Sequence, residues 1–448
     1  MFKTGLLDKV LYRVKRMIPK PVFNFFAPTY HAGLAYAGAL FYGFPSRSMK
    51  VIGVTGTKGK STTVFLITKI LEAAYPRKVA AIGSLGFKIK DKEWPNTLKM
   101  TMPGRMKLQK FLKEAKDSGC EYVVMEVTSE GIAQKRHLGI SFDCAVFTNL
   151  HKEHIESHGS FENYYAAKRK LFELTTNIHV INAEDPHANL FGDFSAKRKI
   201  FYGLTKGEMV ARDVKLRENG MEFDVYGTKF NTYLAGEFNV FNCLAALSVG
   251  AMYGIDLPTM KPVIENIKMI PGRMEFVQKE PFTVVVDYAH TPQSLELVYE
   301  TLRSQMFRLR RGFGGQANAK NQKLVCVLGA AGGGRDKWKR PEFGRIAAEY
   351  CDEIILTNED PYDENPEAIL EEIASGFSSS SKFKVQSSKL LKILDRREAI
   401  VTALTDAREG DTVIITGKGS ETSMALAGGK KIPWSDAQIA RELLQKTS

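Results

Sequence analysis

The residues best suited to chemistry form one run, Gly53-Val54-Thr55-Gly56-Thr57-Lys58-Gly59-Lys60-Ser61-Thr62. Glycines let a backbone wrap closely around a polyphosphate. Lys60 is placed to reach the β- and γ-phosphates, and the Ser61 hydroxyl is a hard ligand for magnesium. The run departs from the strict GxxxxGK[ST] pattern, because Val54 stands five positions before Gly59. Its context is what makes it a phosphate loop. Residues 50–54 read as a short buried strand and residues 62–74 as a helix, whose N-terminus favours negative charge. The bland reading is a glycine turn with an incidental lysine. Such a loop alone could serve a transporter, a motor, a kinase or a ligase.

Three other residues could do chemistry. Glu126 ends the hydrophobic run 122–125 and offers hard oxygens at a strand end. His154 stands in a cluster with His151 and His158, and Lys168 lies in a helix-like segment beside Arg169 and Lys170. Taken alone, these are an ordinary strand-terminal acid, a surface or core histidine and a solvated lysine.

The elements that must position them alternate. Strand-like runs at 79–82, 122–127, 144–148 and 179–182 are separated by helical patterns, which implies a mostly parallel sheet covered on both faces. Residues 199–235 look like short strands and turns, and 239–253 like a helix with small apolar residues at packing positions. A second alternation starts at 283–287 and continues at 324–328, 353–357 and 412–416. The division this suggests is a short basic segment 1–49, a central unit 50–270 and a C-terminal unit 271–448. Residues 312–322 and 377–382 read as loops.

The chain has 448 residues, 63 basic and 50 acidic, for a formal net charge of +13. Hydrophobic residues at 44% and charged residues at 25% argue against global disorder. No apolar run reaches the roughly 18 residues a transmembrane helix needs, and 32–44 is short and broken by glycines. The excess charge is local. Lys3, Lys9, Arg13, Lys15, Arg16, Lys20, Arg47 and Lys50 face only Asp8 within residues 1–50, so that segment carries +7 and the remainder +6. Residues 5–18 have a helical stripe of Leu6, Leu7, Val10, Leu11, Val14, Met17 and Ile18 opposite a basic face. Packing on the body, binding of a nucleotide-linked substrate, and peripheral contact with an anionic membrane are the three readings of that stripe. Five widely spaced cysteines without a CxxC read as reduced, buried thiols, and no secretory signal is evident, so a cytoplasmic location is expected.

Several separated motifs together resemble the Mur ligases, with the nearest likeness to the UDP-N-acetylmuramoyl-tripeptide synthetase (MurE-like) branch. They are GVTGTKGKST at 53–62, MEVTSEG at 125–131, TNLHKEHIESHGSFENYYAAKRKLF at 148–172, GEFNVFNCLAA at 236–246, PGRME at 271–275, DYAHTP at 287–292, GAAGGGRDKWKRP at 329–341, NEDP at 358–361 and GKGSE at 417–421. The resemblance covers about residues 50–430. It implies an α/β fold with a central P-loop ATPase domain and a C-terminal Rossmann-like domain, preceded here by a shortened substrate-anchoring segment. It also implies a ligase that uses ATP and Mg2+ to form an acyl phosphate, which an amino acid then attacks, in peptidoglycan precursor synthesis. A monomer is expected.

The resemblance assigns roles residue by residue. Gly56, Thr57, Gly59, Lys60, Ser61 and Thr62 would cradle the nucleotide. Asn242 would lie near adenine, Arg273 at phosphate and Asp287 near the ribose. Ser61, Glu126, His154 and a carbamylated Lys168 would hold magnesium, with Lys60, Glu126, His154 and Lys168 as the catalytic set. Thr101, Ser129 and Arg136 would contact the UDP-muramoyl peptide, and Arg335, Asp360, Tyr362, Gly417 and Glu421 the free amino acid. Three positions depart from the family pattern. Glu153 replaces an aspartate, Glu130 a histidine, and Glu359-Asp360-Pro361-Tyr362 stands where diaminopimelate-adding members show DNPR. Loss of that arginine and a locally acidic pocket point to a diamino acid such as lysine. The alternatives are another amide ligase of the superfamily, such as one like folylpolyglutamate synthase, or a nucleic-acid-binding P-loop NTPase. No nucleic acid is expected, since basic residues are not interleaved in an RNA-binding motif.

Overall fold

The computed structural model describes residues 20–98, 100–153, 155–217, 220–312, 322–377 and 389–447. The stripe at 5–18, His154 and most of both expected loops lie outside the described residues.

Nine strands form the first sheet: β1 Lys50–Thr55, β2 Val79–Gly83, β3 Gly86–Ile89, β4 Lys92–Trp94, β5 Tyr122–Glu126, β6 Phe142–Phe147, β7 Ile178–Asn182, β8 Arg198–Gly203 and β9 Met209–Val210. Their order is β4-β3-β2-β5-β1-β6-β7-β8-β9, parallel except for the β2-β3-β4 meander. The central strands are apolar throughout because both faces are covered. Ile52, Val54, Val124, Val146 and Val180 face one core, while Val51, Val123, Met125, Ala145 and Ile181 face the other. The helices Lys60–Ala74 and Glu237–Met252 pack together on the first of these faces.

An antiparallel sheet of β10 Arg212–Arg217, β11 Gly220–Val225 and β12 Thr228–Thr232 follows. The third sheet comprises β13 Glu275–Gln278, β14 Thr283–Asp287, β15 Leu324–Leu328, β16 Glu353–Leu356, β17 Lys389–Lys392 and β18 Thr412–Thr416. Its order is β13-β14-β18-β15-β16-β17, with only β13 antiparallel. Alternate residues again divide between two cores, Leu324, Cys326 and Leu328 to one and Val325 and Val327 to the other.

Two features differ from the sequence reading. Cys326 and Cys351 form a disulfide, whereas Cys120, Cys144 and Cys243 are free and buried. Spacing alone does not reveal the pair. Cys326 lies in β15 and Cys351 ends the helix Lys339–Tyr350 just before β16, so the pairing of β15 with β16 brings the two thiols within reach. The apolar run at 32–44, short and broken by glycines, lies mostly within a 22-residue helix, Lys20–Phe41, that runs through Pro28. Its buried Ala35, Gly38 and Ala39 settle on the helix Arg105–Asp117 and on Gly139. A Cβ on Gly38 would meet Met106 Sδ at 2.8 Å, so a larger residue there would displace that side chain.

Candidate active site

The strand order β5-β1-β6 reverses direction at β1, so a crevice opens at the carboxyl ends of these strands. The loop after β1 fills it. Gly56 has φ 148° and Gly59 φ 80°. A Cβ on Gly56 would lie 1.9 Å from Thr148 Oγ1, and one on Gly59 would lie 2.4 Å from Asn242 Oδ1. Both glycines are therefore required by backbone conformation and by close approach. The loop is pinned by the segment after β6. Asn149 Oδ1 accepts from Lys58 N at 2.8 Å, Thr148 Oγ1 donates to Lys58 O at 2.6 Å, and Thr57 Oγ1 lies 2.9 Å from Tyr164 Oη.

Two lysine side chains converge on this loop. Lys60 Nζ donates to Gly56 O and Thr57 O, both at 2.9 Å. Lys168, on the helix Phe161–Leu174, donates to the same Gly56 O at 2.7 Å from behind the loop and lies 4.6 Å from the Tyr164 ring centroid. Burial lowers both lysines from the ordinary amine range, Lys168 strongly. Neighbouring cations add to this, Arg273 on Lys60 and both Lys60 and Lys58 on Lys168, while Glu126 partly counters it at Lys60. Withdrawal from water also lowers Lys58 to about 7, against the pull of Glu153.

Glu126 is buried at the end of β5, where its carboxylate accepts from Ser84 N at 2.6 Å and Ser84 Oγ at 3.3 Å. It lines, with Ser61, a cavity of about 1010 Å³. Both donors are hard oxygens, the type that suits a magnesium ion sharing its remaining ligands with phosphates and water. Among the described residues, no group of three or more His, Cys, Asp or Glu side chains could hold a metal unaided.

The third sheet supplies the opposite wall. Arg273 Nη2 donates to Ser61 Oγ at 3.2 Å, and its guanidinium lies 4.4 Å from the Tyr288 ring centroid. Asp287, at the end of β14, accepts from Met274 N and Ala289 N, each at 2.6 Å. It therefore orders the turn that carries Arg273, and burial raises its carboxyl above the usual range. A second bridge lies beside the loop. Glu153 pairs with Lys58 at 3.7 Å and with Lys339, while Glu156 N donates to Asp336 Oδ1 at 3.2 Å and Lys337 N to Glu156 Oε1 at 3.1 Å.

The cavity unites most of the residues singled out by sequence. Thr57, Gly59, Lys60, Ser61, Thr62, Asn242, Arg273 and Asp287 line it together with Thr101, Ser129, Arg136, Arg335 and Glu421. Asn242 is fixed by Thr63 Oγ1 at 3.3 Å and Asn239 Oδ1 at 3.0 Å. Thr101 Oγ1 lies 3.0 Å from Ser84 Oγ, and Ser129 begins the short helix Ser129–Ala133. The Arg136 guanidinium is held by Met102 O and by Gln134 Oε1 at 2.7 Å. Gly56 and Lys168 stand behind the loop instead of lining the cavity.

Asp360 and Gly417 lie deeper, around a second cavity of about 40 Å³ that also touches Arg335, Glu359 and Glu421. Tyr362, at φ 53°, packs against Gly333 at its edge. The acidic pocket read from sequence is more structured than a sum of carboxylates. Fully buried Lys418 donates to both Asp360 oxygens at 2.9 Å and to Glu421 Oε2 at 2.6 Å. Glu359 Oε2, by contrast, is buried without a hydrogen-bond partner, and burial pushes the carboxyl up to about 7 despite Lys418 and Arg396. Buried Arg396 holds this floor together, pairing with Asp436 at 2.7 Å and donating to Asn358 O and Thr416 O.

Sequence reasoning passed over Glu153, Lys339, Glu359 and Lys418 as site residues. Glu153 and Glu359 had a signal, since each stands at a departure from the family pattern, but Lys339 and Lys418 acquire meaning only from their partners.

Residues 54–250 match the model of the Mur ligase middle domain, and residues 272–419 that of the Mur ligase, glutamate ligase domain. A UDP-N-acetylmuramyl-tripeptide synthetase from Roseiflexus sp. (strain RS-1) is 36% identical over 449 residues, covering 95% of this chain and 84% of that protein. A UDP-N-acetylmuramoyl-L-alanyl-D-glutamate--2,6-diaminopimelate ligase from Thermosynechococcus vestitus (strain NIES-2133 / IAM M-273 / BP-1) is 38% identical over 424 residues, covering 91% and 79%. In fold, the chain is similar to the MurF ligase from Thermotoga maritima in complex with ADP, with a TM-score of 0.65, 20% identity and coverage of 93% and 83%.

Proposed function

The chain belongs to the Mur ligase family, and from that premise we propose that it uses ATP to join a diamino acid to a UDP-N-acetylmuramoyl peptide. The observation that carries this reading is the single cavity in which the phosphate loop, Glu126 and the Arg273 and Arg335 side chains converge from two sheets. The functional division that suits it is 1–49, 50–270 and 271–448, with the nucleotide between the last two.

The carboxylate of the acceptor peptide is a poor electrophile. Its oxygen attacks the γ-phosphorus of ATP, ADP leaves, and an acyl phosphate forms. The amine of the incoming amino acid then adds to the acyl carbon, and phosphate departs with the bonding pair as the amine loses its proton. Lys60 and Arg273 neutralise the phosphoryl oxygens, and Asn242 orients the base. Ser61 and Glu126 would hold Mg2+, and the family resemblance adds His154 and a carbamylated Lys168 as further ligands. Bound there, the ion would neutralise phosphate charge. Burial supports the Lys168 assignment, because its depressed basicity favours the free amine that reacts with carbon dioxide. Thr101, Ser129 and Arg136 line the acceptor side.

Arg335 faces the α-carboxylate of the amino acid, with Tyr362 and Gly417 shaping the floor beneath it. Asp360 and Glu421 serve mainly through Lys418, so the charge left over to meet a distal ammonium is that of Glu359. This supports lysine or ornithine over an amino acid with a second carboxylate. An ADP-release screen of amino acids with UDP-muramoyl dipeptide tests both levels. ADP release with lysine is expected. Much faster turnover with meso-diaminopimelate overturns the specificity, and no amino-acid-dependent turnover overturns the ligase reading.

A further inference from the structure

The helix Lys20–Phe41 has two unlike faces. Its inner seam is Ala35, Gly38 and Ala39, packed against the helix Arg105–Asp117. Its outer face displays Phe26 at 60% exposure, Tyr30 at 41%, Tyr36 at 52%, Leu40 at 71% and Phe41 at 76%. These positions recur at helical spacing, so the large side chains lie along one side over about 22 Å of axis. Five large apolar or aromatic residues on one outer face exceed the scattered exposure usual on a globular surface.

Charge says what the face meets. The sequence from residue 9 to residue 71 contains no aspartate or glutamate, and Glu72 is the first acid after Asp8. Residues 1–50 carry eight lysines and arginines, and exposed Arg47, 4.2 Å from the Phe44 ring centroid, stands just beyond the helix end. An apolar aromatic face set in an acid-free, basic stretch of sequence complements a layer with an apolar interior and an anionic skin. Tyrosine and phenylalanine suit such a boundary, because their rings tolerate the headgroup zone. Among the described residues no helix is long and apolar enough to cross a membrane, so the contact is interfacial.

We propose that the outer face of helix Lys20–Phe41, through Phe26, Tyr30, Tyr36, Leu40 and Phe41, docks on an anionic lipid bilayer and seats the protein at a membrane surface. The inference stands apart from the ligase chemistry and does not depend on it.

The test is co-sedimentation of the full chain with phosphatidylcholine vesicles containing about 30 mol % phosphatidylglycerol, against phosphatidylcholine alone. Binding to the anionic vesicles is expected, weakening several-fold as salt is raised. The double variant Leu40→Asp/Phe41→Asp should reduce it at least about tenfold while ATP-dependent ligation remains unchanged. The milder Phe26→Ser/Tyr36→Ser variant should reduce it about threefold, and serves if the first does not fold. Three outcomes overturn the proposal. One is an active wild-type protein that ignores anionic vesicles. Another is folded variants of both kinds that bind as wild type does. The third is lipid-free self-association, seen by light scattering, that the double variant abolishes, since the face then covers a second copy.

Discussion

The two ends of the cleft are unbalanced in opposite directions. At the phosphate loop, the Lys60 ammonium and the buried Lys168 amine make their hydrogen bonds to backbone carbonyls, Lys58 is paired with Glu153, and Lys60 and Arg273 carry the positive surplus. At the floor beneath Arg335, three carboxylates surround Lys418, and Glu359 has an oxygen with no donor. Each imbalance carries the sign opposite to what the proposed ligand brings, phosphate at one end and a side-chain ammonium at the other. Local charge surplus, read after internal pairs are subtracted, is thus a better guide to a ligand than the count of charged residues.

The largest effect tests the cationic end. Lys60→Ala and Glu126→Ala should each lower ADP release by about 100- to 1000-fold, with unchanged circular dichroism. If both purified variants keep most activity, the contrast collapses. The next test removes the cation that balances the acidic floor. Lys418→Met leaves Asp360 and Glu421 without their shared partner and should cost about 3–5 kcal/mol in urea unfolding. A loss under about 1 kcal/mol would mean that the floor is already wet.

Glu359→Gln sharpens the comparison further. It should raise KM for the diamino acid about tenfold while leaving KM for ATP unchanged. In wild type, amino-acid affinity should improve as pH rises through about 7, where Glu359 ionises, and the variant should lack that inflection. Stability moves the other way. The folded carboxyl sits at about 7, above its ordinary 4.5, so its contribution is full below 4.5 and is lost as pH rises through about 7. Thermal melts of wild type and variant across that window should converge at low pH. The smallest effect is expected for Lys339→Met, which leaves Glu153 paired with Lys58 and should lower kcat only a few-fold.

Much of this was legible in the residues. The runs at 50–54, 122–127 and 412–416 became β1, β5 and β18, because strands covered on both faces are apolar at every position. The loop was legible because its glycines and lysine are consecutive. The helix Lys20–Phe41 was not, since Pro28 and the glycines argue against one, and its small residues are explained only by the neighbour they touch. The Asp360–Lys418 pair spans 58 residues and the Cys326–Cys351 bond 25, distances over which spacing carries no information until sheet order is known. His154 was read by resemblance and lies outside the described residues.

The reach of Arg273 to Ser61 carries a further consequence. On the proposed assignment, neither sheet owns a complete phosphate site, so the protein behaves as a conjunction in the logical sense. Phosphoryl transfer proceeds only when both halves report true. A reactive anhydride is then made only inside a closed chamber, where an amine finds it before water does.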